Sequence, residues 1–452
     1  MHDQPRKPSK YGRAFDWRLS HGPDRLGDEA AAGMSRLASS DFPDILEDFL
    51  SISRKRQQNP TALARLQIHM LEELLIQESV VKHYRERIAE LESPMASGNA
   101  DERQKEIAFA KGERFLYRMY ANAIRAIGDG IAWRAFGYDR AAIRLLGERQ
   151  TKQHVSSEGT VQELREWSYH FDTGSGIAIL NALTNCLAIA DVTVVRHDGS
   201  IEIVEVKSSK TKSSRKIRQK QAMKEVVTLL GTGAGQNEGR DVGIEILRIT
   251  PESYLNRVEE LLQTAGEKGW AARRISDWLY VEAFDFRKFT SEDEVKELTG
   301  KMREAAIGEW EKRGDYIHDM NSLDAIGYSP NSAPFSVFPF RARMCIDLLI
   351  GAAFYVSFLN INAVEREFTR RGWTLEKDLK TLMSEKSQES MLEVRKGPFH
   401  CTVSPADFMR MQVETLRPKT LIDAIEAKYR EGPSADTGYL LALFQGEYKM
   451  WN

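Results

Sequence analysis

From Pro43 to about Glu92 the apolar residues fall three and four positions apart, as in Leu63, Leu66, Met70 and Leu74 followed by Ile76 to Val80. This spacing predicts amphipathic helices. The polar SPMASGNAD segment (93–101) interrupts them, and a second helical block runs from Glu102 to about Leu146 through Ile107, Phe115, Tyr120, Ile124 and Ile127. The Gly-rich stretch IGDGIAW is expected to break that block. Residues 1 to about 40 mix basic, Gly and Pro residues with little periodicity and read as a mobile or loosely packed start. The first 150 residues are thus predicted to be a helical region.

After the polar linker ERQTKQHVSSEG (148–159) β-branched residues cluster and the pattern changes. Helical candidates at Val161–Phe171 and Ile177–Leu187 lead into DVTVVRHDGSIEIVEVKSS, a strand, a turn and a strand by alternation and turn chemistry. A basic helix (Ser214 to about Leu230), a Gly-rich loop (GTGAGQNEGR), a strand (Val242–Ile249), a helix (Pro251 to about Gly266) and a strand (Trp278–Phe284) follow. Strands alternating with helices predict an α/β core over 156–290, a mixed central sheet flanked by helices. Beyond Phe289 a capping box, Ser291 with Glu294, opens a mostly helical region over 291–452. Within it Leu348–Leu359 (LLIGAAFYVSFL) reads as a core helix, SPNSAPFSVFPF as a packed extended piece, and MLEVRKGPFHCTV as a hairpin turning near Gly397.

A chain of 452 residues exceeds the size of one ordinary core, which makes two or three domains the expectation. Its 42% hydrophobic and 29% charged residues are ordinary for a globular protein. The net charge of −2 excludes a uniformly basic nucleic-acid coat, so any phosphate-binding surface must come from local segregation of charge. Cys186, Cys345 and Cys401 lie far apart in apolar surroundings, which argues against a disulfide scaffold or a cysteine zinc site. No apolar run approaches the roughly 18 residues of a membrane span. A soluble cytoplasmic protein in a reducing compartment is expected.

The chemistry gathers on the central hairpin. In the second strand Ile201, Ile203, Glu205 and Lys207 share one face, because strand side chains alternate. Asp191 joins them only in one register. A two-residue Asp198-Gly199 turn pairs Val192 with Glu205, whereas a three-residue loop of His197, Asp198 and Gly199 sets Asp191 opposite Glu205. The loop needs a left-handed residue at its third position, where Gly199 stands. In that register the two carboxylates begin from Cβ atoms about 5 Å apart, an arrangement that repels unless a cation lies between them. Glu-x-Lys at the end of an apolar strand is also common as a solvated edge, so Asp191 and its surroundings carry the reading.

Asp191, a strand, a turn and the apolar-flanked Glu205-Val206-Lys207 resemble the PD-(D/E)xK motif of the restriction-endonuclease-like superfamily. The resemblance covers about residues 156–290, and the order of helix, strands, helix and return strand is similar. It implies a nuclease domain in which Asp191 and Glu205 hold Mg²⁺, with Mn²⁺ able to substitute, and Lys207 positions or activates the hydrolytic water. Many members add a Glu from the preceding helix, for which Glu163 and Glu166 both qualify, Glu166 being the catalytic candidate, and one branch adds a Gln from the following helix. Gln219 and Gln221 lie there, Gln221 being the catalytic candidate, although Met223 and Glu225 stand where that branch has Tyr. No Pro precedes Asp191.

Lys207, Lys210, Lys212, Arg215, Lys216, Arg218, Lys220 and Lys224 follow one another with no acidic residue between them. Such a run is often only a solvated helix face, but beside the acidic strands it is a candidate phosphate track, salt-sensitive in binding. His170 and His197 flank the site without a metal-ligand partner at helical or hairpin spacing, and Trp270, Trp278 and Tyr280 read as core. The expectation is a nuclease acting on DNA rather than RNA, of the restriction or phage-defence kind, able to oligomerise and with helical flanks available to a protein partner. The alternative is a non-catalytic nucleic-acid-binding or scaffold protein of the same fold.

Overall fold

The computed structural model describes residues 42–55, 59–93, 99–147, 157–174, 176–206, 214–232, 234–237, 240–247, 251–289, 308, 310–322, 333–376, 392–403, 405–431, 438–443 and 449–450. The N-terminal arm, the Ser291 capping box and Cys401's side chain lie outside what is described. Helices α1 (Phe42–Lys55), α2 (Pro60–Glu92), α3 (Ala100–Ala135) and α4 (Arg140–Gly147) open the fold. Asn59 starts α2 by accepting the Ala62 N–H, with Pro60 at the first helical position, and Asn99 starts α3 by accepting the Asp101 N–H. The two long helices run back along each other, tied by Arg87–Glu106, Lys111–Glu92 and Arg125–Glu78.

Contrary to the sequence expectation, α3 runs unbroken through IGDGIAW. Its glycines serve close approach: a Cβ on Gly128 would stand 1.9 Å from the Leu183 carbonyl oxygen, and one on Gly130 2.6 Å from Ser336 Oγ. The helix ends instead at Gly137 and Tyr138, both at positive φ.

Helix α5 (Ser157–Asp172) leads into β1 (Gly176–Leu180), β2 (Val192–Arg196) and β3 (Ile201–Val204), an antiparallel meander. The Ile177–Leu187 helix expectation is therefore corrected to a strand and a 3₁₀ turn (Asn181–Leu183). Its cause is tertiary: the buried Gln67 side chain of α2 donates to the Ala178 carbonyl (2.9 Å) and accepts the Leu180 N–H (3.0 Å), acting as a strand partner for β1. Next come α6 (Ser214–Thr232), β4 (Ala234–Asn237) and β5 (Arg240–Leu247), so within the expected Gly-rich loop Gly231 and Thr232 end α6 and Ala234–Asn237 form a strand.

The chain continues through β6 (Glu252–Ser253), α7 (Leu255–Lys268), β7 (Trp270–Arg274), β8 (Leu279–Asp285), β9 (Ile317–Asn321), α8 (Ala342–Leu349), β10 (Ala353–Asn360), α9 (Ile361–Arg370) and β11 (Thr374–Leu375). Then follow β12 (Leu392–Lys396), β13 (Phe399–Val403), α10 (Pro405–Val413), α11 (Pro418–Glu431), β14 (Gly438–Leu443) and β15 (Lys449–Met450). Among the described residues of 291–452 helices and strands are mixed, where the sequence predicts a mostly helical region. LLIGAAFYVSFL divides at Gly351 (φ +70°) into the end of α8 and the strand β10. Strand β10 is buried on both faces between β8 and β9, which produces an apolar run with no strand alternation. The β12–β13 hairpin turns at Gly397 (φ +61°), as its sequence predicts.

Helices and strands do combine as expected of a mixed fold, but among the described residues the strands form separate small sheets instead of one central sheet. The order β7-β8-β10-β9 makes one, and β14-β5-β4 another, with β14 parallel to β5. One apolar core joins α1 to α4, β1, β2, α7 and β8, while a second lies among α9, β12, β13 and α11. No helix among the described residues is long and apolar enough to cross a membrane.

Candidate active site

The β2–β3 register pairs Val192 with Val204, Thr193 with Ile203, Val194 with Glu202 and Val195 with Ile201. Arg196 N–H donates to the Ser200 carbonyl and Gly199 N–H to the Arg196 carbonyl, both at 2.9 Å, with Gly199 at φ +82°. The loop therefore has three residues, and the register is the one that carries Asp191 toward Glu205.

The ladder stops one step short of that pair. Asp191 N–H donates to the Val204 carbonyl at 3.1 Å, so Asp191 and Val192 both face Val204, two against one as in a β-bulge. Asp191 Oδ2 accepts the Val206 N–H at 2.7 Å, which stitches the continuation of β3 to the start of β2. Asp191 and Glu205 are both half-buried.

A network behind Asp191 fixes its approach. Ala190 has φ +70°, an uncommon conformation for a residue with a side chain. Asn181 holds the turn, its Nδ2 donating to the carbonyls of Ile189 (2.9 Å) and Ala190 (3.2 Å), while its backbone N–H donates to the Asp191 carbonyl (3.0 Å). The preceding loop is anchored by buried Asp129, which accepts the backbone N–H groups of Asn185 and Cys186 and the Asn185 side chain. Burial pushes the Asp129 carboxyl up, and those donors pull it back. Sequence reasoning missed this anchor, although an acid between two glycines within an apolar helix is its visible signal.

The upstream glutamates separate. On α5 the Glu163 carboxyl is pushed up to about 7, first by burial and then by the charge of Asp191. Glu166 instead sits 3.6 Å from His170 Nε2, and the buried His170 also lies 4.0 Å from Glu202 Oε2. Glu163, Trp167 and His170 share one helix face at i, i+4 and i+7, and the burial of the last two shows that this face packs inward. Gln221 is exposed on α6, where its Nε2 donates to Glu225 Oε1 at 3.1 Å. The structure thus brings Glu163, not Glu166 or Gln221, into electrostatic contact with Asp191. Lys207, Lys210 and Lys212 lie outside the described residues. Arg215, Lys216, Arg218 and Lys220 belong to α6, which packs against β3.

No family model, curated protein or solved structure matches the chain. Among the described residues no group of three or more His, Cys, Asp and Glu side chains is gathered to hold a metal ion. Asp191 and Glu163 nevertheless suit a divalent cation in two respects. Both are hard oxygen donors, and burial first, with the charge of Asp191 second, disfavours a lone ionised Glu163, a cost that a cation would offset.

The same displacement predicts a pH signature. The folded Glu163 carboxyl keeps its proton to higher pH than the ordinary value of 4.5, so its ionisation opposes folding. The cost is absent below about 4.5, grows as pH rises and is complete above about 7. Glu163→Gln should match the parent chain near pH 4 and be more stable by roughly 1–2 kcal/mol at pH 8, a figure reduced for solvent screening of a half-buried group. Urea unfolding at the two pH values measures the difference. An offset that is the same at both would remove the coupling to Asp191.

Proposed function

We propose that this chain is a metal-dependent nuclease that hydrolyses phosphodiester bonds, with DNA as the favoured substrate, in a restriction or phage-defence setting. The observation that supports it most is the β2–β3 register, which leads Asp191 to Glu205, with Glu163 of α5 near enough to Asp191 to feel its charge. Asp191 and Glu205 are the residues that would hold Mg²⁺ or Mn²⁺, with Glu163 beside Asp191; the three are not gathered into a ligand cluster, so binding would have to draw them together. When bound, such an ion lowers the pKa of a coordinated water and offsets charge on the reacting phosphoryl group.

The chain's own groups supply the remaining work. Asp191 keeps its position through the Val206 N–H and the Asn181 turn, so its carboxylate is presented by backbone rather than by a flexible side chain alone. Glu163, titrating near neutrality, is suited to hold and release a proton at its carboxyl oxygens. Lys207 orients the attacked phosphate or the water, and the basic residues from Lys210 to Lys220 take the flanking phosphates.

The absence of a three-ligand cluster among the described residues favours a second reading, a non-catalytic nucleic-acid-binding protein of similar shape. The full chain incubated with plasmid, linear duplex, single-stranded DNA and RNA, in Mg²⁺, Mn²⁺ or EDTA, separates the two. Cleavage of DNA with metal and none in EDTA is the expected result. Retained binding with no cleavage in either metal would establish the binding protein instead.

A further inference from the structure

Away from Asp191, the end of β7, the β7–β8 turn, one face of α9 and the start of α11 enclose a cleft of about 500 Å³. That volume lies within the range of small-molecule sites, about 300–1,000 Å³. Its walls carry Arg274, Arg313, Arg366, Arg370, Arg417 and Lys419, opposed within the lining only by Asp277 and Glu367. Each of these cations also pairs with an acid in or behind the wall, Asp277, Asp315, Glu367, Glu252 or Asp423. Six cations thus meet five carboxylates, and the cleft keeps a small positive excess that an anion would balance.

Two further features are independent of the charge. The first turn of α11, a 14-residue helix with no acidic residue there, forms part of the wall through Pro418 and Lys419. Helix N-termini favour phosphate through their N–H groups and dipole. Half-buried Trp278 adds an aromatic surface, held from behind by the Tyr254 ring at 5.9 Å. Indole, cations and a helix N-terminus together match a ligand with a flat base and phosphate groups.

The cations are engaged in pairs that an arriving phosphate can displace. Arg366 lies 3.6 Å from Asp315 and Arg370 2.7 Å from Glu367, with the two arginine side chains 61% and 73% exposed. Their acidic partners are more enclosed, Asp315 at 8% and Glu367 at 25%, so the carboxylates are held in the wall while the long arginine side chains reach solvent and can turn toward a phosphate. Arg417 is different, bonded to Glu252 at 2.7 Å and only 22% exposed, so it is a fixed part of the wall.

We propose that this cleft binds the phosphate groups of a nucleotide, either free or within a single strand. The site shares no residue with the proposed catalytic group, so it stands or falls separately. Equilibrium binding of ATP, inorganic phosphate and a ten-residue oligothymidylate would be measured in EDTA, where metal-dependent cleavage is suppressed. The double variant Arg366→Gln/Arg370→Gln and the single variant Lys419→Gln alter solvent-facing groups, and thermal unfolding checks their folding. Saturable binding of ATP that weakens at least tenfold in the double variant and several-fold in the single one identifies a free nucleotide. The same losses for the oligothymidylate alone identify a strand. No saturable binding of ATP or of the oligothymidylate, whether or not inorganic phosphate binds, or affinities within twofold of the parent in both variants, would overturn the proposal.

Discussion

Asp191→Asn is expected to reduce metal-dependent cleavage by about 10²–10³-fold or more, the scale seen when one preorganised electrostatic partner of a reaction is removed. The substitution separates charge from architecture. An Asn side-chain oxygen can still accept the Val206 N–H that Asp191 Oδ2 accepts at 2.7 Å, so the hairpin end should persist. What disappears is the negative charge beside Glu163. The Glu163 carboxyl should then fall from about 7 toward its ordinary value, leaving only the part of its displacement that burial causes. Two readouts are therefore linked: cleavage of plasmid in Mg²⁺, and the pH dependence of unfolding. A variant that cuts as fast as the parent chain would remove Asp191 from the reaction. If Mg²⁺ raises the unfolding temperature of the parent protein at pH 8 and that of Asp191→Asn equally, the ion binds elsewhere.

Glu414→Ala should destabilise the protein by about 3–5 kcal/mol, the cost of leaving a buried charge without its partner. Glu414 is fully buried and accepts from Arg140 at 2.8 Å, from Arg410 at 3.1 Å and from the Ala333 N–H at 3.3 Å. It thereby ties α4, the end of α10 and the segment entering Pro334 to one point. Burial alone would push its carboxyl up, but the two guanidinium groups more than offset this and hold it below the ordinary range. The stability it contributes is therefore present above the unfolded value of 4.5 and is lost as pH falls below it. Alanine would take the carboxylate away from Arg410, whose side chain is 3% exposed, and from Arg140, at 11%. Urea unfolding at pH 7 checks the magnitude, and a change under 1 kcal/mol would show that the arginines find other partners or water.

Both residues show which kind of information local sequence carries. Asp191's register was legible because Gly199 can take φ +82° where a three-residue loop needs it, a property of one residue and its neighbours. The bulge at Asp191 was not legible, since it depends on the Ala190 turn that Asn181 holds. Glu163 and Glu166 were equivalent in sequence, and only the packing of α5 distinguishes them. Glu163 is set beside Asp191, while Glu166 faces His170. Glu414 carried no signal at all, since Arg140 lies 274 residues upstream and Ala333 81, and only Arg410, four residues earlier on α10, is local.

The same division runs through the fold. Sequence by itself determined α2 and the first part of α3, whose stripes, Asn caps and interrupting polar segment are local, but not the continuation of α3 through IGDGIAW; it likewise determined the β2–β3 and β12–β13 hairpins, where a Gly at positive φ sets the turn. It also determined that acidic strands adjoin a basic helix. Tertiary structure decided the conformation of segments apolar on every side. Gly176–Leu180 and Ala353–Asn360 are strands because partners cover both faces or supply hydrogen bonds, and such runs lack the alternation that marks a half-exposed strand. It decided that β5 pairs with β14 near the chain's end rather than extending the β1–β3 sheet. Pairing, burial and charge contact are properties of two surfaces brought together, and a pattern read along one segment contains only one of them.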